Sequence, residues 1–476
     1  MGDFDSLLEE AEKGIHLAAE DEHRVRFLVA KASALDEKGK YGDALNAYAE
    51  ALTLDPKCAV ATLNRGVTLL KMGQSDAALE SFDQALSLDP GLSLAHVNRA
   101  GVLASAGDYA SAIDELTEAL RSLPPGPVRA LALLSRGTSL AGLGKNRDAL
   151  ADLDDAFLEY RDPLAKSRCL FHKAIAHKDL ADQTSAMAAI DAAIELHNEA
   201  PAFHLLRAEL LLRDEELETA SSSVARALSL NPSAGMAAQA HDFLARIQTE
   251  GGNLPEALTE NDKAIALDPE NASLHHNRGL TLLQQGRLRD ATVSFTDALH
   301  RDQGNAGAWN NRGIARGAQG DYTGAMADYE KAVEVAVDPH DTGSSLRHLA
   351  QCHLLIGEAA EAECCLERAR ASDPDSPFNL VIEGLILLYR GEFDNSLSLR
   401  ADAAGEEDAP DIQIYMSLPI ILLGEIEKGV EIAERHWQEL GALVTRNEFM
   451  NHARALCTMF RTQKALDALL EVEAKT

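Results

Sequence analysis

The stretch from Ala272 to Pro339 holds two copies of one 34-residue segment placed back to back. The copies read ASLHHNRGLTLLQQGRLRDATVSFTDALHRDQGN (272–305) and AGAWNNRGIARGAQGDYTGAMADYEKAVEVAVDP (306–339). They agree at the aligned pairs Asn277/Asn311, Arg278/Arg312, Gly279/Gly313, Gly286/Gly320, Ala291/Ala325, Phe295/Tyr329 and Ala298/Ala332. This period indicates a stacked repeat protein, because one segment cannot bury its apolar face without a neighbour.

The same segment recurs about twelve times. Its starts lie at Val25, Ala59, Ser93, Ala130, Ser167, Pro201, Ala238, Ala272, Ala306, Gly343, Pro377 and Pro410. Three residues are added before Ala130, Ser167, Ala238 and Gly343, and one is lost before Pro410. Three residues make nearly one helical turn of about 3.6 residues. Each addition should therefore extend a helix or loosen a linker, and we interpret these joins as hinges.

Each repeat has the pattern of two helices and a turn. Counted from its start, position 15 is glycine in ten repeats, where a first helix ends with positive φ. Position 20 is usually alanine and should face a small residue at position 8, so that the paired helices approach closely. Position 24 is often aromatic or leucine, position 27 is alanine, and proline at position 32 ends the second helix.

This pattern resembles the tetratricopeptide repeat over 25–443. The resemblance implies an all-α fold, a right-handed superhelical solenoid of antiparallel helix pairs whose first helices line a concave groove for protein ligands. We predict a capping helix at 1–24, a regular array of about ten repeats at 25–376, degenerate repeats at 377–443 and capping helices at 444–476. A separate docking module is the alternative for the C-terminal part.

Composition narrows the class of function. The net charge of −32 and pI of about 4.8 disfavour nucleic acid and anionic membrane surfaces as partners. No apolar run is long enough for membrane insertion, and the six cysteines show no paired spacing, so we expect a cytoplasmic protein with free thiols. His348 and Cys352 have the spacing of two metal ligands but lack further ligands. We expect no enzyme activity, no metal and no cofactor.

Asparagine is the main candidate for a binding residue. The resemblance implies that positions 2, 5, 6, 9, 12 and 13 point into the groove. Position 6 is asparagine in four repeats, and an exposed amide can grip a peptide backbone through both its donor and its acceptor. The candidates are Asn64, Asn98, Asn277 and Asn311, with Asn310 and His276 at neighbouring groove positions. The alternative is that Asn-Arg-Gly is a habit of the repeat without a ligand role.

Two apolar walls complete the expected groove. The first contains Val60, Leu63, Val67, Leu94 and Val97, together with Leu70, Ala104, Leu131 and Leu134. The second contains Phe378, Val381, Ile382, Leu385, Leu388, Ile414, Leu418 and Ile421. Exposed apolar area of this extent marks a partner site or a homodimer contact. Packing inside the solenoid or against the chain's own ends is the alternative.

These features predict a scaffold or adaptor that holds an extended or amphipathic helical segment of another protein. The basic residues with which some members of the family clamp an acidic tail are replaced here, for example by Leu94 and Asn98, so such tails are not the expected partner. The alternative function is a regulator whose superhelix changes shape when a peptide binds.

Overall fold

The computed structural model describes residues 4–403, 414–415, 417–437, 443–460 and 462–475. Within these ranges it contains 27 α-helices and no strand, which confirms the all-α class. In chain order the helices are α1 (Phe4–Leu17), α2 (Asp21–Glu37), α3 (Tyr41–Leu54), α4 (Ala59–Lys71), α5 (Ser75–Leu88), α6 (Ser93–Ser105), α7 (Tyr109–Ser122), α8 (Pro127–Gly142), α9 (Asn146–Glu159), α10 (Pro163–Asp179), α11 (Gln183–Leu196), α12 (Pro201–Arg213), α13 (Leu217–Ser229), α14 (Ala234–Glu250), α15 (Leu254–Leu267), α16 (Ala272–Gln284), α17 (Leu288–Arg301), α18 (Ala306–Ala318), α19 (Tyr322–Val335), α20 (Pro339–Leu355), α21 (Ala359–Ser372), α22 (Phe378–Tyr389), α23 (Phe393–Ala403), α24 (Ser417–Leu422), α25 (Ile426–Trp437), α26 (Leu443–Met459) and α27 (Gln463–Lys475).

The chain divides into two compact units, Met1–Glu216 (unit 1) and Leu217–Thr476 (unit 2). In each unit a first helix, such as α4 or α16, packs closely against the second helix that follows it. The last repeat start, at Pro410, lies outside the described residues.

The turns between paired helices depend on left-handed backbone. All ten glycines at position 15 have positive φ, from 72° to 98°, as predicted: Gly39, Gly73, Gly107, Gly144, Gly252, Gly286, Gly320, Gly357, Gly391 and Gly424. The two repeats without this glycine keep the same turn, with Ala181 at φ 58° and Glu215 at φ 57°. This conformation costs a residue with a Cβ roughly 1–2 kcal/mol of conformational free energy. Both of these strained turns lie in unit 1.

The small residue at position 8 makes room for position 24. A Cβ at Gly66, Gly279 or Gly313 would lie within 2.6 Å of the ring of Phe82, Phe295 or Tyr329, respectively. The rings at position 24 are thus the nearest neighbours of position 8 in these three repeats, whereas at Gly137 the nearest atoms include the backbone oxygen of Ala149 at position 20. In these three repeats the ring of the second helix lies so close to the first helix that an added Cβ would force it to shift. The ten alanines at position 20 are nevertheless completely buried, which places them in the core.

The added residues extend helices. First helices after a 34-residue spacing, such as α4, α6, α16 and α18, have 13 residues. Those after an addition have 16 residues (α8) or 17 (α10, α14 and α20). Each insertion thus forms about one extra N-terminal turn. Because these residues are helical, the reason for interpreting the joins as hinges disappears.

An arginine at position 7 ties the two helices of a repeat together. Arg136 forms a bidentate pair with Asp152 at 2.7 and 2.8 Å, and Arg312 does the same with Asp328 at 2.9 and 2.7 Å. Both acids are at position 23 and are buried. Arg312, the arginine of one Asn-Arg-Gly segment, is therefore a structural residue, a role that was not predicted. The recurrence of arginine at 7 with an acid at 23 could have revealed it.

Candidate functional site

The first helices of unit 1 leave an apolar surface uncovered. Position 2 holds the most exposed large apolar side chain of α4, α6 and α8: Val60 is 51% exposed, Leu94 46% and Leu131 41%. We call the surface formed by these residues together with Val67, Leu70, Asn64, Asn98, Gly101 and Ser135 the open face. Isolated exposed leucines are common in proteins, but three at the same position of successive repeats form a stripe.

The first predicted wall is smaller than expected. Leu63 and Val97, at position 5, are buried in the core with 4% and 7% exposure, and Val67 is half-buried. Leu63 packs with Phe82 and Ala95, and Val97 packs with Leu116 and Ala132. Position 5 thus fills the gap between successive repeats, and the apolar contact for a ligand is left mainly to position 2.

A pocket opens in the middle of the open face. Its volume is about 280 Å³, and Asn98, Gly101 and Leu131 line it with Leu70 and Ser135. A Cβ at Gly101 would have no other atom within 4 Å, so a ligand can approach the helix backbone closely there. A second pocket of about 450 Å³, lined by Thr138, His172 and Ile175, shares Ser105 with the first. The recess therefore runs from α4 to α10.

Asn64 and Asn98 have side-chain amides without a hydrogen bond among the described residues, and both are half-buried. The residue that precedes each of them by 35 positions is apolar, Val29 for Asn64 and Leu63 for Asn98. An alkyl chain offers an amide no hydrogen bond, so the repeat before does not satisfy these two amides. In unit 1 these two asparagines can therefore give both donor and acceptor to a ligand.

The corresponding asparagines of unit 2 are already engaged. Asn277 Nδ2 donates to Asp242 Oδ1 at 2.8 Å, and Asn311 Nδ2 donates to His276 Nε2 at 3.0 Å. Each partner again precedes its asparagine by 35 residues, at position 5 of the repeat before. The amide groups therefore link neighbouring first helices instead of pointing free into a groove.

One more hydrogen bond links neighbouring first helices of unit 2, and burial shifts two pKa values among these groups. Ser345 Oγ donates to Asn310 Oδ1 at 3.2 Å. Burial lowers the pKa of His276, which suits a neutral ring that accepts from Asn311. Burial raises the pKa of Asp242, and the bond from Asn277 opposes that rise. Asn277 also lines a pocket of about 260 Å³ with Arg246 and Thr281, so part of this surface stays accessible.

The second predicted wall is buried. Val381, Ile382, Leu385, Leu388, Ile414, Leu418 and Ile421 have exposures of 4% or less, and only Phe378 is exposed. They share one core with Phe449, Met450 and Leu456 of α26. The alternative that this wall packs against the chain's own end is therefore the one the structure supports.

Helix α26 also lies on three first helices of unit 2. It packs against α16, α18 and α20, and Ile314 at position 9 of its repeat is half-buried against the core that α26 joins. We call this surface of α16, α18 and α20 the covered face. The sequence did not reveal it, although the apolar spacing of Phe449, Ala453 and Leu456 was a signal.

The described residues were also searched for a metal site and for a membrane-spanning helix. They contain no group of three or more His, Cys, Asp or Glu side chains that could hold a metal ion. His348 is stacked on Tyr329 with ring centroids 5.4 Å apart, and Cys352 is buried. No helix in the described ranges is long and apolar enough to cross a membrane.

Comparisons with known proteins agree with the fold. Models of the tetratricopeptide repeat match residues 29–91, 63–127, 245–286 and 305–375. The photosystem I assembly protein Ycf3 of Synechococcus sp. strain WH7803 is 31% identical over 86 residues, and that of strain CC9902 is 29% identical over 92. These matches cover 18% and 19% of this chain, which spans about half the length of both relatives (50% and 49%).

A solved structure extends the likeness in fold to nearly the whole chain. The crystal structure of the APC/C hetero-tetramer Cut9-Hcn1 aligns with a TM-score of 0.50 and 14% identity, over 98% of this chain and 96% of that one. At this identity the likeness concerns the fold alone. It agrees with the tandem helix pairs described above.

Proposed function

The chain is a tetratricopeptide repeat protein, and we propose that it is a non-enzymatic scaffold or adaptor that binds an extended or amphipathic helical segment of a partner protein on the open face. The observation that carries this proposal is the pocket in which Leu131, Gly101 and the unbonded amide of Asn98 meet. Apolar contact, close approach to the backbone and an amide that can bond to a peptide group all suit the binding of a polypeptide segment.

Apolar burial would supply most of the binding free energy. Fully burying a valine or leucine side chain contributes about 1.5–3 kcal/mol relative to exposure. Val60, Leu94 and Leu131 are about half exposed, so each offers a fraction of that value. The amides of Asn64 and Asn98 would fix the register of the bound backbone, since hydrogen bonds contribute more to specificity than to net affinity.

The distribution of acidic residues indicates which charge the flanks of the bound segment should have. Helices α4, α6 and α8 contain no aspartate or glutamate, although the whole chain has 76 of them. The acids of this region lie on second helices, for example Asp83 on α5 and Glu118 on α7. A segment with an apolar centre and neutral or basic flanks matches this distribution. The cytoplasmic location remains a prediction from the sequence.

The test compares two exposed leucines of unit 1. Leu131→Glu places a charge in the pocket of the open face, whereas Leu158→Glu places it on second helix α9, where Leu158 is 77% exposed. Both chains and the wild type serve as bait for affinity purification with quantitative mass spectrometry. We expect a partner that is lost with Leu131→Glu and kept with Leu158→Glu. Equal recovery of every partner by all three baits would contradict the proposal.

A further inference from the structure

The second pocket of the recess in unit 1 offers negative charge and hydrogen-bond acceptors to a ligand. It has a volume of about 450 Å³ and is lined by residues of α6, α7, α8 and α10. We propose that this pocket binds the ammonium group of a lysine side chain in the bound segment, with Asp179 as its counter-charge. The inference rests on the proposed function and deepens it, since it names a residue that the partner segment must carry.

The C-terminal ends of three first helices meet at this pocket. Ser105 is the last residue of α6, Gly142 of α8 and Asp179 of α10, and all three line the pocket. The terminal carbonyl groups of a helix carry a partial negative charge, which attracts a cation. The last turns of α6 and α8 contain no basic side chain that could neutralise this charge. The backbone alone therefore makes the pocket favourable for a positive group.

Asp179 adds a full negative charge to the pocket. Its side chain is exposed and forms no ion pair with the residues that the structure describes. The two basic residues of the same turn have other partners. Lys178 Nζ lies 3.0 Å from Glu209 Oε1, and His177 Nδ1 lies 3.4 Å from Asp182 Oδ2. Because a carboxylate at a helix C-terminus is unfavourable for the helix, a cation supplied by a ligand would relieve this arrangement.

Three hydroxyl groups in the pocket can only accept hydrogen bonds from a ligand. Ser105 Oγ donates its hydrogen to Gly101 O at 2.8 Å. Thr138 Oγ1 and Ser139 Oγ both donate to Ser135 O at 2.9 Å. Since each hydroxyl has a single hydrogen, only the lone pairs remain for a ligand. A lysine ammonium group has three donors and no acceptor, so it matches this lining.

His172 lines the pocket as a neutral ring. Burial, together with the nearby charge of Arg168, lowers its pKa to about 4, so at neutral pH one ring nitrogen can accept a hydrogen bond. Arg168 itself is exposed one turn earlier on α10 and is not among the residues that line the pocket, which include no lysine or arginine. The pocket thus contains a carboxylate and no fixed positive charge.

The remaining lining residues suit the methylene chain of a lysine. Ile175 gives an apolar wall on α10, and lysine side chains commonly lay their methylene groups on such a surface. The ring of Tyr109 lies close against α8, where a Cβ at Gly142 would be 2.8 Å from it. The face of an aromatic ring also attracts an ammonium group.

The position of the lysine in the partner segment follows from the distance between the two pockets. The first pocket, with Asn98 and Leu131, lies one first helix earlier, and both pockets contain Ser105. Packed helices lie about 8–10 Å apart. An extended chain rises about 3.3 Å per residue. A large apolar residue in the first pocket therefore places the lysine about three residues away.

The test captures synthetic peptides on the immobilised full-length chain. One pool has a fixed central leucine and mixed amino acids at every other position, and a second pool has serine in place of the leucine. Mass spectrometry of the captured peptides gives the enrichment of each amino acid at each distance from the fixed residue. We expect lysine to be enriched about tenfold, on one side of the leucine and about three residues from it, because bonds to charged groups are the stronger ones.

Three chain variants locate the source of this preference. Asp179→Asn should remove the lysine enrichment, whereas Asp179→Glu should keep it. Asp114→Asn removes an equal charge at an exposed position of second helix α7, outside the pocket, and should have no effect. Lysine enriched equally at all distances, or equally by the Asp179→Asn chain and the wild type, would reflect general attraction to an acidic protein and would overturn the inference.

The two pools separate this inference from the proposed function. Preference for the leucine pool without a lysine preference that depends on Asp179 would overturn the inference alone. Equal capture of both pools, with lysine still enriched through Asp179, would contradict the proposed function alone. Capture of neither pool would contradict both.

Discussion

The open face of unit 1 and the covered face of unit 2 both lie on first helices of the repeats and differ in whether another helix packs on them. On the open face, Asn64 and Asn98 lie 35 residues after apolar residues, and their amides form no hydrogen bond with the residues that the structure describes. In unit 2, Asn277 and Asn311 follow Asp242 and His276 and bond to them. The comparison shows that an asparagine at position 6 is available or structural depending on position 5 of the repeat before it.

The largest effect is expected where α26 packs into the core of unit 2, with Phe449 against Tyr415 and Trp437. Phe449→Ala removes a completely buried ring and should lower the free energy of unfolding of unit 2 by about 3–5 kcal/mol. Leu131→Ala on the open face, by contrast, should change stability only slightly, because Leu131 is 41% exposed. Denaturant unfolding followed by hydrogen exchange in each unit measures both. Similar losses for the two variants would contradict the difference between the faces.

Acid should weaken the packing of α26 into the core of unit 2. Burial lowers the pKa of His452 from 6.5 to about 3. Because the released helix binds the proton more readily, docking is at full strength above about pH 6.5 and weakens as the pH falls toward 3. At pH 5 the loss should be about 2 kcal/mol. The facing Tyr389, whose pKa burial raises, stays protonated throughout.

Exchange of α26 amides between pH 7.5 and 5 measures this effect, after correction for the intrinsic pH dependence of exchange. The control is His452→Phe, which should abolish the pH dependence of α26 while leaving that of the buried His348 in α20. If the His452→Phe chain shows the same change in α26 as the wild type, His452 is not its source.

Asparagine-to-alanine variants of the two units should differ in their effect on the free energy of unfolding. Asn277→Ala and Asn311→Ala each remove a hydrogen bond and should each cost about 1 kcal/mol. Asn64→Ala and Asn98→Ala remove no bond within the chain and should leave the unfolding free energy nearly unchanged. The measurement is chemical denaturation of the two double variants. A larger loss for the unit 1 pair would show that the assigned hydrogen bonds are wrong.

The smallest effect is expected at the two turns of unit 1 that lack glycine. Ala181→Gly and Glu215→Gly relieve a left-handed backbone and should each stabilise the chain by about 0.5–1 kcal/mol, after the entropy cost of glycine. The midpoint of thermal unfolding measures the gain. The reverse change, Gly73→Ala, at a turn with φ 75°, should destabilise it. No difference between these variants would argue against the turn geometry.

The sequence predicted what depends on the period. The turn glycines, the buried alanines and the paired helices follow from local rules, because each repeat meets the same neighbours. The predicted binding residues depended on partners from other repeats or from the far end of the chain. Asn277 was predicted to be free although its partner Asp242 lies one repeat away, and Ile382 was predicted to be exposed although α26 covers it. Contacts of this kind cannot be predicted from the sequence of a single repeat.

The most direct test of partner binding on the open face compares the proteins captured by the Gly101→Leu chain with those captured by the Gly42→Leu chain. Both glycines lie in helices with open space around them, but Gly101 is on the open face and Gly42 is on second helix α3. Leucine favours a helix, so neither change should unfold the chain. We predict that Gly101→Leu loses a partner that Gly42→Leu and the wild type retain. If the Gly101→Leu chain retained every partner of the wild type, the open face would not be the binding surface.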